Sequence, residues 1–284
     1  MELHFLDGGM LYELNKHYND LGEEALINNP NLIINLYEQY ISLGCNYITT
    51  CNYGFKSKKL DNWKFLVQKS VNLISCFKKD NEHIKILGCL PPYFESYYDG
   101  EIDSSFVDFY HTLVGILDNT IDEYIIETQI SGKHIDKICE IIIGNSGKKI
   151  NISIYPNGNI TKNDIKEIIN KYSNVINCIL VNCCCFDDMK KYFESNIKPL
   201  KIMNYDIKFG FYCNRIDEQK YLSYTGNKTK NVSLQDFYIK RNIEKKQLND
   251  FIRVLRYSGY KIIIGGCCGY GVKEMEDLIN SIEI

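Results

Sequence analysis

Residues 261–269 read Lys-Ile-Ile-Ile-Gly-Gly-Cys-Cys-Gly, a short apolar run that ends in two adjacent cysteines flanked by glycine. Neighbouring side chains of a regular strand point to opposite faces of a sheet, so Cys267 and Cys268 can approach one point only where the backbone leaves the strand. Glycine supplies the backbone freedom for that departure. The segment is therefore predicted to be a strand whose carboxyl end directs two sulfur atoms at a metal ion or a substrate.

Seven further runs rich in Ile, Val, Leu or Tyr have the length of a strand, at residues 3–7, 45–51, 84–90, 124–127, 150–155, 175–183 and 207–213. Helical periodicity marks residues 30–43, 65–77, 106–117, 135–143, 165–172, 251–257 and 272–282. Alternating strands and helices indicate a parallel sheet, and eight such units match a (β/α)8 barrel, which typically has about 250 residues. We expect an α/β fold, a single TIM-type barrel domain over residues 1–284.

The alternative fold is an open doubly wound sheet, which would favour a glycine-rich phosphate loop after the first strand. Residues 7–10, Asp-Gly-Gly-Met, lack the spacing of that loop, so the barrel is preferred. Two long segments, residues 91–104 and 214–246, leave the carboxyl ends of strands, where barrel active sites form. Both are predicted to cover a substrate, although an ordinary surface insertion is an equal alternative for the lysine-rich second segment.

The formal net charge of −3 gives no electrostatic basis for binding nucleic acid or an anionic membrane surface. No apolar run approaches the roughly 20 residues of a membrane helix, and the N-terminus lacks the pattern of a secretory signal. We therefore expect a cytoplasmic protein that acts on small molecules. The oligomeric state is not indicated by the sequence.

Twelve cysteines in a long chain without a secretory signal indicate core residues or metal ligands in a reducing compartment, rather than disulfides. Five of them are predicted to be buried core residues: Cys45, Cys76, Cys89, Cys139 and Cys178. The five histidines all fall outside the predicted strand ends. We therefore expect neither a histidine metal ligand nor a histidine general base.

The carboxyl ends of the predicted strands would bring polar and sulfur-containing side chains to one mouth of the barrel. Three thiolates suit Zn²⁺, which takes four ligands in a tetrahedral arrangement. Cys183, at the end of strand 6 directly after Asn182, is the preferred third ligand beside Cys267 and Cys268. Cys185 could return to the same side as a fourth ligand and close the site, which would make the zinc structural. The other residues at these ends are Asp7, Gly8, Thr50, Glu127, Asn182 and Tyr212.

Three motifs in this order resemble the homocysteine S-methyltransferases: Leu-Asp-Gly-Gly-Met at residues 6–10, Asn-Cys at 182–183 and Gly-Gly-Cys-Cys-Gly at 265–269. The Glu-Thr pair at 127–128 and the aromatic segment after strand 3 agree, and the resemblance spans almost the whole chain. The chain departs from the family pattern at residues 51–52, at Cys213, where a proline is usual, and at residues 270–272. These departures bear on the donor pocket rather than on the three cysteines.

The resemblance implies that Cys183, Cys267 and Cys268 bind zinc and that the sulfur of L-homocysteine takes the open position. It also implies that Asp7 and Glu127 hold the ammonium group of the substrate, with the Gly8 backbone near its carboxylate. Thr50, Asn182 and Tyr212 are predicted to complete the substrate-binding set. Considered singly, Asp7 could instead cap a helix and Glu127 could be the partner of a buried ion pair.

The implied reaction is methyl transfer from S-methylmethionine or S-adenosylmethionine to homocysteine, which yields methionine. The thiolate is the nucleophile, and zinc deprotonates a coordinated thiol. Three cysteine thiolates already give the site a charge of −1, so the substrate sulfur should stay electron-rich. A sulfonium donor leaves as a neutral thioether, so no catalytic residue is expected beyond the zinc-bound substrate thiolate.

The chain length disfavours the multidomain cobalamin-dependent enzymes and, less firmly, betaine as donor. One alternative function is a non-catalytic zinc or redox protein closed by Cys185. The other is a methyltransferase for another thiol or a selenol.

Overall fold

The computed structural model describes residues 2–18, 20, 22–80, 83–216 and 243–283. Eight parallel strands form one sheet in the order β1-β8-β7-β6-β5-β4-β3-β2. The strands are β1 (Leu3–Phe5), β2 (Tyr47–Thr49), β3 (Lys85–Leu90), β4 (Glu123–Gln129), β5 (Lys149–Ile154), β6 (Ile176–Asn182), β7 (Lys208–Cys213) and β8 (Ile262–Gly266). Every predicted strand is present, with ends that differ by a few residues.

The two outer strands of this order, β1 and β2, meet through few contacts. Leu6 and Tyr47 form a parallel bridge, the Asp7 N–H donates to the Tyr47 carbonyl at 3.0 Å, and the Asn46 N–H donates to the Phe5 carbonyl at 2.9 Å. These bonds make the sheet a nearly closed barrel. The predicted TIM-type (β/α)8 fold is confirmed.

Ten α-helices lie in the described part of the chain, most of them between successive strands. They are α1 (Met10–Leu14), α2 (Glu23–Asn28), α3 (Pro30–Ser42), α4 (Trp63–Asp80), α5 (Ser104–Leu117), α6 (Gly132–Asn145), α7 (Lys162–Tyr172), α8 (Phe186–Tyr192), α9 (Lys245–Tyr257) and α10 (Val272–Ser281). All seven predicted helical segments are confirmed. The short helices α1, α2 and α8 were not predicted, and a π-helical turn (Phe193–Ile197) follows α8 directly.

Apolar side chains fill the inside of the barrel below its carboxyl-end mouth. Leu87, Ile125, Leu180 and Ile263 belong to this inner cluster together with Tyr212. A larger core lies between the strands and the surrounding helices. The barrel interior is packed, so the mouth formed by the strand ends and the loops after them is the place where a site on the barrel is expected.

Four of the five cysteines predicted to be core residues are buried, but Cys76 is exposed. The buried face of α4 carries Val67, Val71 and Ile74 at helical spacing, and Cys76 points away from that face. The prediction for Cys76 was wrong because an apolar neighbourhood in sequence does not fix the face of a helix.

The two long segments differ in how far the structure describes them. Residues 91–103 contain no helix or strand, as predicted, and they end where the Asp103 carboxylate accepts from the Phe106 N–H at 2.8 Å and caps α5. In the second segment, residues 217–242 lie outside the described residues, and α9 begins at Lys245. Within the described chain, no helix is long and apolar enough to span a membrane.

Candidate metal centre and substrate site

Three cysteines from opposite parts of the sequence meet at the carboxyl-end mouth of the barrel. The Sγ atoms of Cys183, Cys267 and Cys268 all lie within 4.8 Å of one another, and those of Cys267 and Cys268 are 4.0 Å apart. Cys183 follows β6, and the other two follow β8. The structure thus brings together all three sulfur atoms that the sequence singled out.

The backbone at Cys183 adopts an unusual conformation that directs its sulfur into the site. Its φ is 57°, a left-handed value that costs a non-glycine residue about 1–2 kcal/mol. Two hydrogen bonds hold it: the Cys183 N–H donates to the Tyr212 carbonyl at 3.2 Å, and Asn214 Nδ2 donates to the Cys183 carbonyl at 2.8 Å. The next residue, Cys184, is therefore buried in the outer core instead.

Glycine is required where β8 ends. A Cβ atom on Gly266 would lie 2.3 Å from Cβ of Tyr270 and 2.7 Å from Sδ of Met275. Gly269 has a φ of 83°, and the Tyr270 N–H donates to the Cys267 carbonyl at 3.0 Å across the turn. This tight turn presents two consecutive sulfur atoms to the same point.

Cys185 lies apart from the three clustered thiols. It is exposed, it precedes α8 as the N-cap residue, and its Sγ donates to Oδ2 of Asp188 at 3.2 Å. Cys185 does not belong to the group whose sulfur atoms lie within 4.8 Å of one another. The described geometry therefore leaves one side of the cluster without a protein sulfur.

Asp7 is a buried carboxylate whose oxygens accept from Thr49 alone among the described residues. The Thr49 N–H donates to Oδ2 at 2.8 Å, and Thr49 Oγ1 donates to Oδ1 at 3.1 Å. Burial raises the pKa of Asp7 to about 8 against the lowering effect of those bonds. Asp7 does not cap α1, since Gly9 stands at that position without a side-chain cap.

Glu127 is the second buried carboxylate, and burial raises its pKa to about 7. The Tyr212 hydroxyl donates a hydrogen bond to Oε2 of Glu127, and its oxygen lies 2.6 Å from Ser153 Oγ. In the described chain neither Asp7 nor Glu127 forms an ion pair with a basic side chain. Two buried carboxylates without a cation make this part of the mouth complementary to an ammonium group.

Asn182 and Gly8, two residues predicted to contact the substrate, each have a hydrogen-bonding group without a partner in the described structure. Asn182 is fully buried; its Nδ2 donates to Thr128 Oγ1 at 2.8 Å, and its Oδ1 has no described partner. The Gly8 N–H likewise makes no hydrogen bond among the described residues. An acceptor and a donor are thus left at the same end of the barrel as the carboxylates.

Thr50 differs from these two residues because its hydroxyl is already engaged. Thr50 Oγ1 donates to Asn52 Oδ1 at 2.5 Å and accepts from the Cys89 N–H at 2.9 Å. The residue holds β2 and β3 together at their carboxyl ends, and its geometry lends no support to a contact with substrate.

Tyr97 is a site residue that sequence reasoning missed. Its hydroxyl lies 2.8 Å from Cys183 Sγ, its φ is 71°, and its ring packs against Tyr155 with centroids 4.4 Å apart. The adjacent Ser96 shares a hydrogen bond of 2.7 Å with the Tyr53 hydroxyl. Segment 91–104 was predicted to cover the site, but its several tyrosines carry no pattern that selects Tyr97.

The three thiols fit a zinc ion with one open position. Zn–S bonds of about 2.3 Å in a tetrahedron place sulfur atoms about 3.8 Å apart, close to the 4.0 Å between Cys267 and Cys268. Soft sulfur donors select zinc over magnesium or calcium. The donor set is therefore suited to zinc.

Comparison with known protein families agrees with the resemblance of the sequence motifs. The sequence profile described as homocysteine S-methyltransferase matches residues 4–282. The chain belongs to the homocysteine S-methyltransferase family. The family resemblance carried by the motifs at both ends of the chain is thereby confirmed.

Solved structures agree with the family assignment at the level of fold. The homocysteine methyltransferase MmuM from Escherichia coli in its metallated form is similar with a TM-score of 0.73 at 18% identity, covering 99% of this chain and 96% of that one. The apo form of the same enzyme has a TM-score of 0.69 at 17% identity, and the match covers 99% of this chain and 96% of that one. A dihydrodipicolinate synthase from Bacteroides thetaiotaomicron has a TM-score of 0.57 at 12% identity, and the match covers 98% of this chain and 74% of that one. No curated protein matches the chain in sequence.

Proposed function

We propose that this member of the family transfers a methyl group from a sulfonium donor, S-methylmethionine or S-adenosylmethionine, to the thiol of L-homocysteine and so forms methionine. The observation that carries the proposal is the pairing of an open three-thiol cluster with two buried carboxylates that have no described cationic partner. One side of the site suits a sulfur ligand, and the other suits an ammonium group.

In this proposal Cys183, Cys267 and Cys268 hold zinc. The ion, when bound, keeps the substrate thiol in its nucleophilic thiolate form. The similar E. coli enzyme is known in a metallated form, which supports a metal in this protein as well. Tyr97 contacts Cys183 and covers the cluster from the side of segment 91–104.

The amino-acid end of homocysteine is assigned to the polar groups opposite the thiols. Asp7, Glu127 and the free Oδ1 of Asn182 accept hydrogen bonds from its ammonium group, and the Gly8 N–H donates to its carboxylate. Tyr212 holds Glu127 in place through its hydroxyl. These contacts fix the acceptor sulfur, and fixing two reactants in line removes much of the entropic cost of their reaction.

The thiol proton of homocysteine would leave to solvent when the thiol binds the metal, so the methyl transfer itself needs no proton donor or acceptor among the side chains. The new S–CH3 bond forms on the homocysteine thiolate, while the electron pair of the breaking bond stays with the donor sulfur as a neutral thioether. The amino-acid contacts also favour homocysteine over thiols that lack an ammonium group.

The direct test is an assay of methionine formation from homocysteine with S-methylmethionine, S-adenosylmethionine and betaine in parallel. We expect turnover with a sulfonium donor and about one zinc per chain. Cys268→Ser should lose both zinc and activity, whereas Cys185→Ser should keep both because Cys185 is outside the cluster. Full activity in a zinc-free preparation, or turnover with betaine only, would contradict the proposal.

A further inference from the structure

The hydroxyl group of Tyr97 contacts one of the three clustered sulfur atoms directly. It lies 2.8 Å from Sγ of Cys183, and the Tyr97 side chain packs against the small apolar cluster that contains this cysteine. A thiolate that binds a metal carries no proton, so it can only accept hydrogen bonds. When Cys183 is a zinc ligand, the Tyr97 hydroxyl must therefore be the donor of this bond.

Cys183 depends on such a donor more than an exposed thiolate would. Only 4% of Cys183 is exposed, whereas Cys267 and Cys268 are partly exposed. Water therefore has little access to the charge on the Cys183 sulfur, and a buried charge without a partner is costly. A hydroxyl that donates to a thiolate forms a charge-assisted hydrogen bond, which is stronger than a neutral one. The Tyr97 hydroxyl thus takes the place of water at the most buried of the three thiols.

The backbone conformation on both sides of this hydrogen bond is strained. Five non-glycine residues of the described chain have a positive φ, and three of them, Tyr97, Thr128 and Cys183, lie at or beside the thiol cluster. Thr128 Oγ1 accepts from Nδ2 of Asn182, the residue before Cys183, at 2.8 Å. Strained conformations persist where the surroundings fix them, and they concentrate at functional sites. The values of 71° at Tyr97 and 57° at Cys183 therefore mark this contact as one that the fold maintains.

The loop that carries Tyr97 is fixed on both sides of this residue. On the amino-terminal side, Ser96 Oγ shares a hydrogen bond of 2.7 Å with the Tyr53 hydroxyl. On the carboxyl-terminal side, the Gly100 carbonyl oxygen lies 2.7 Å from Nε2 of the buried His134. These contacts connect the loop to β2 and α6, so the Tyr97 hydroxyl is held at a defined place beside Cys183.

We propose that Tyr97 is a positioning residue of the metal centre, whose hydroxyl donates to the zinc-bound sulfur of Cys183, orients that ligand and stabilises its negative charge. The inference rests on the zinc site of the proposed function and assigns to it a hydrogen-bond donor besides the three ligands. Hydrogen-bond partners of metal ligands typically contribute about 10–100-fold to metal affinity or activity. Because Tyr97 binds the sulfur and not the ion, the open position of the zinc remains free for the substrate thiol.

The test is Tyr97→Phe, which removes the hydroxyl and keeps the ring that packs against Tyr155 with centroids 4.4 Å apart. We expect the affinity for zinc, measured by competition with a chelator, to fall about tenfold or more. Cobalt(II)-loaded protein provides a second readout, because a Cys183 thiolate without the hydrogen bond is a stronger electron donor. The sulfur-to-cobalt charge-transfer absorption should therefore move to longer wavelength in the variant. Neither measurement requires methyl transfer.

The matched control is Tyr98→Phe, which makes the same change at the next residue, 61% of which is exposed, and should alter neither zinc affinity nor the cobalt spectrum. Unchanged zinc affinity in Tyr97→Phe would overturn the inference. Weaker zinc binding with an unchanged cobalt spectrum would overturn it too, because Tyr97 would then act through packing alone. Wild-type protein that binds zinc but does not methylate homocysteine would instead contradict the proposed function, while both measurements on Tyr97→Phe would still decide the role of the hydroxyl.

Discussion

Asp7 and Glu127 determine which ligand the site favours. Both are buried, neither has a described cationic partner, and burial raises the pKa of Asp7 to about 8 and that of Glu127 to about 7. A bound ammonium group would supply the missing charge. The proposed recognition of an amino-acid thiol therefore depends on these two side chains more than on any other pair.

Glu127→Gln should raise the KM for homocysteine at least ~30-fold, or about 2 kcal/mol, because it removes one charge from a buried ammonium site. Steady-state kinetics with homocysteine and with 4-mercaptobutanoate, which lacks the ammonium group, measures the effect. The preference for homocysteine should shrink in the variant. Glu123→Gln, on the same strand but away from the thiols, serves as the control. An unchanged preference in Glu127→Gln would show that Glu127 does not contact the ammonium group.

The stability of the metal-free protein should depend on pH through Asp7. Its pKa is raised from 3.8 to about 8 in the folded protein, so its contribution to stability is fully present below about pH 4 and is lost as pH rises towards 8. Urea unfolding between pH 4 and pH 8 should show a decreasing free energy of unfolding. The decrease should be smaller in Asp7→Asn, and identical slopes in the two proteins would refute this assignment.

Several residues of the site could be read from the sequence, and others could not. Cys183, Cys267 and Cys268 follow apolar runs directly, so a parallel barrel necessarily places them at one end. Tyr97 stands in an irregular segment, where no periodicity relates the sequence to the direction of a side chain. Its position depends on a backbone conformation, with a φ of 71°, that no local pattern specifies.

The end of β8 is the element on which the thiol cluster depends most directly. Gly266→Ala would place a Cβ atom 2.3 Å from Tyr270 Cβ, and relieving such a clash should cost about 1–3 kcal/mol. We expect a lower melting temperature and weaker zinc retention against a chelator. Gly144→Ala, in α6 with no atom within 4 Å of the added carbon, should be neutral or slightly stabilising. Equal zinc retention in both variants would argue against a role for this turn.

Strands were easier to predict than short helices. The strands have three to seven residues and most are built around Ile, Leu, Val or aromatic residues, and longer helices such as α3 and α5 show a clear buried stripe. By contrast, α8 has seven residues and continues into a π-helical turn, so its spacing departs from the regular period. The element was missed because the pattern that reveals a helix needs several uniform turns.

In the barrel as a whole, the junction between β1 and β2 has the fewest pairing contacts between neighbouring strands. One bridge links these strands, whereas five residue pairs align β5 with β6. Hydrogen exchange followed by mass spectrometry should therefore show faster exchange at the β1–β2 junction than at β5–β6, because local opening breaks fewer bonds there. Equal protection of both junctions would contradict this expectation.

The overall topology followed from the alternation of strands and helices, because parallel strands need crossover helices and eight units close into a barrel. The closure itself, with Leu6 paired to Tyr47, and the approach of Tyr97 to Cys183 join segments that are distant in sequence. No single segment encodes them. The fold and the clustering of the three thiols were therefore predictable, whereas the surroundings of the cluster required the structure.

The central claim is that the three-thiol cluster holds zinc with one position open to the thiol of homocysteine. Zinc K-edge absorption spectroscopy of the zinc-loaded protein, recorded with and without homocysteine, tests it most directly. We predict three sulfur ligands without the substrate and four with it, and the same change in Cys185→Ser. Four sulfur ligands before homocysteine is added, or a spectrum that homocysteine leaves unchanged, would contradict the account.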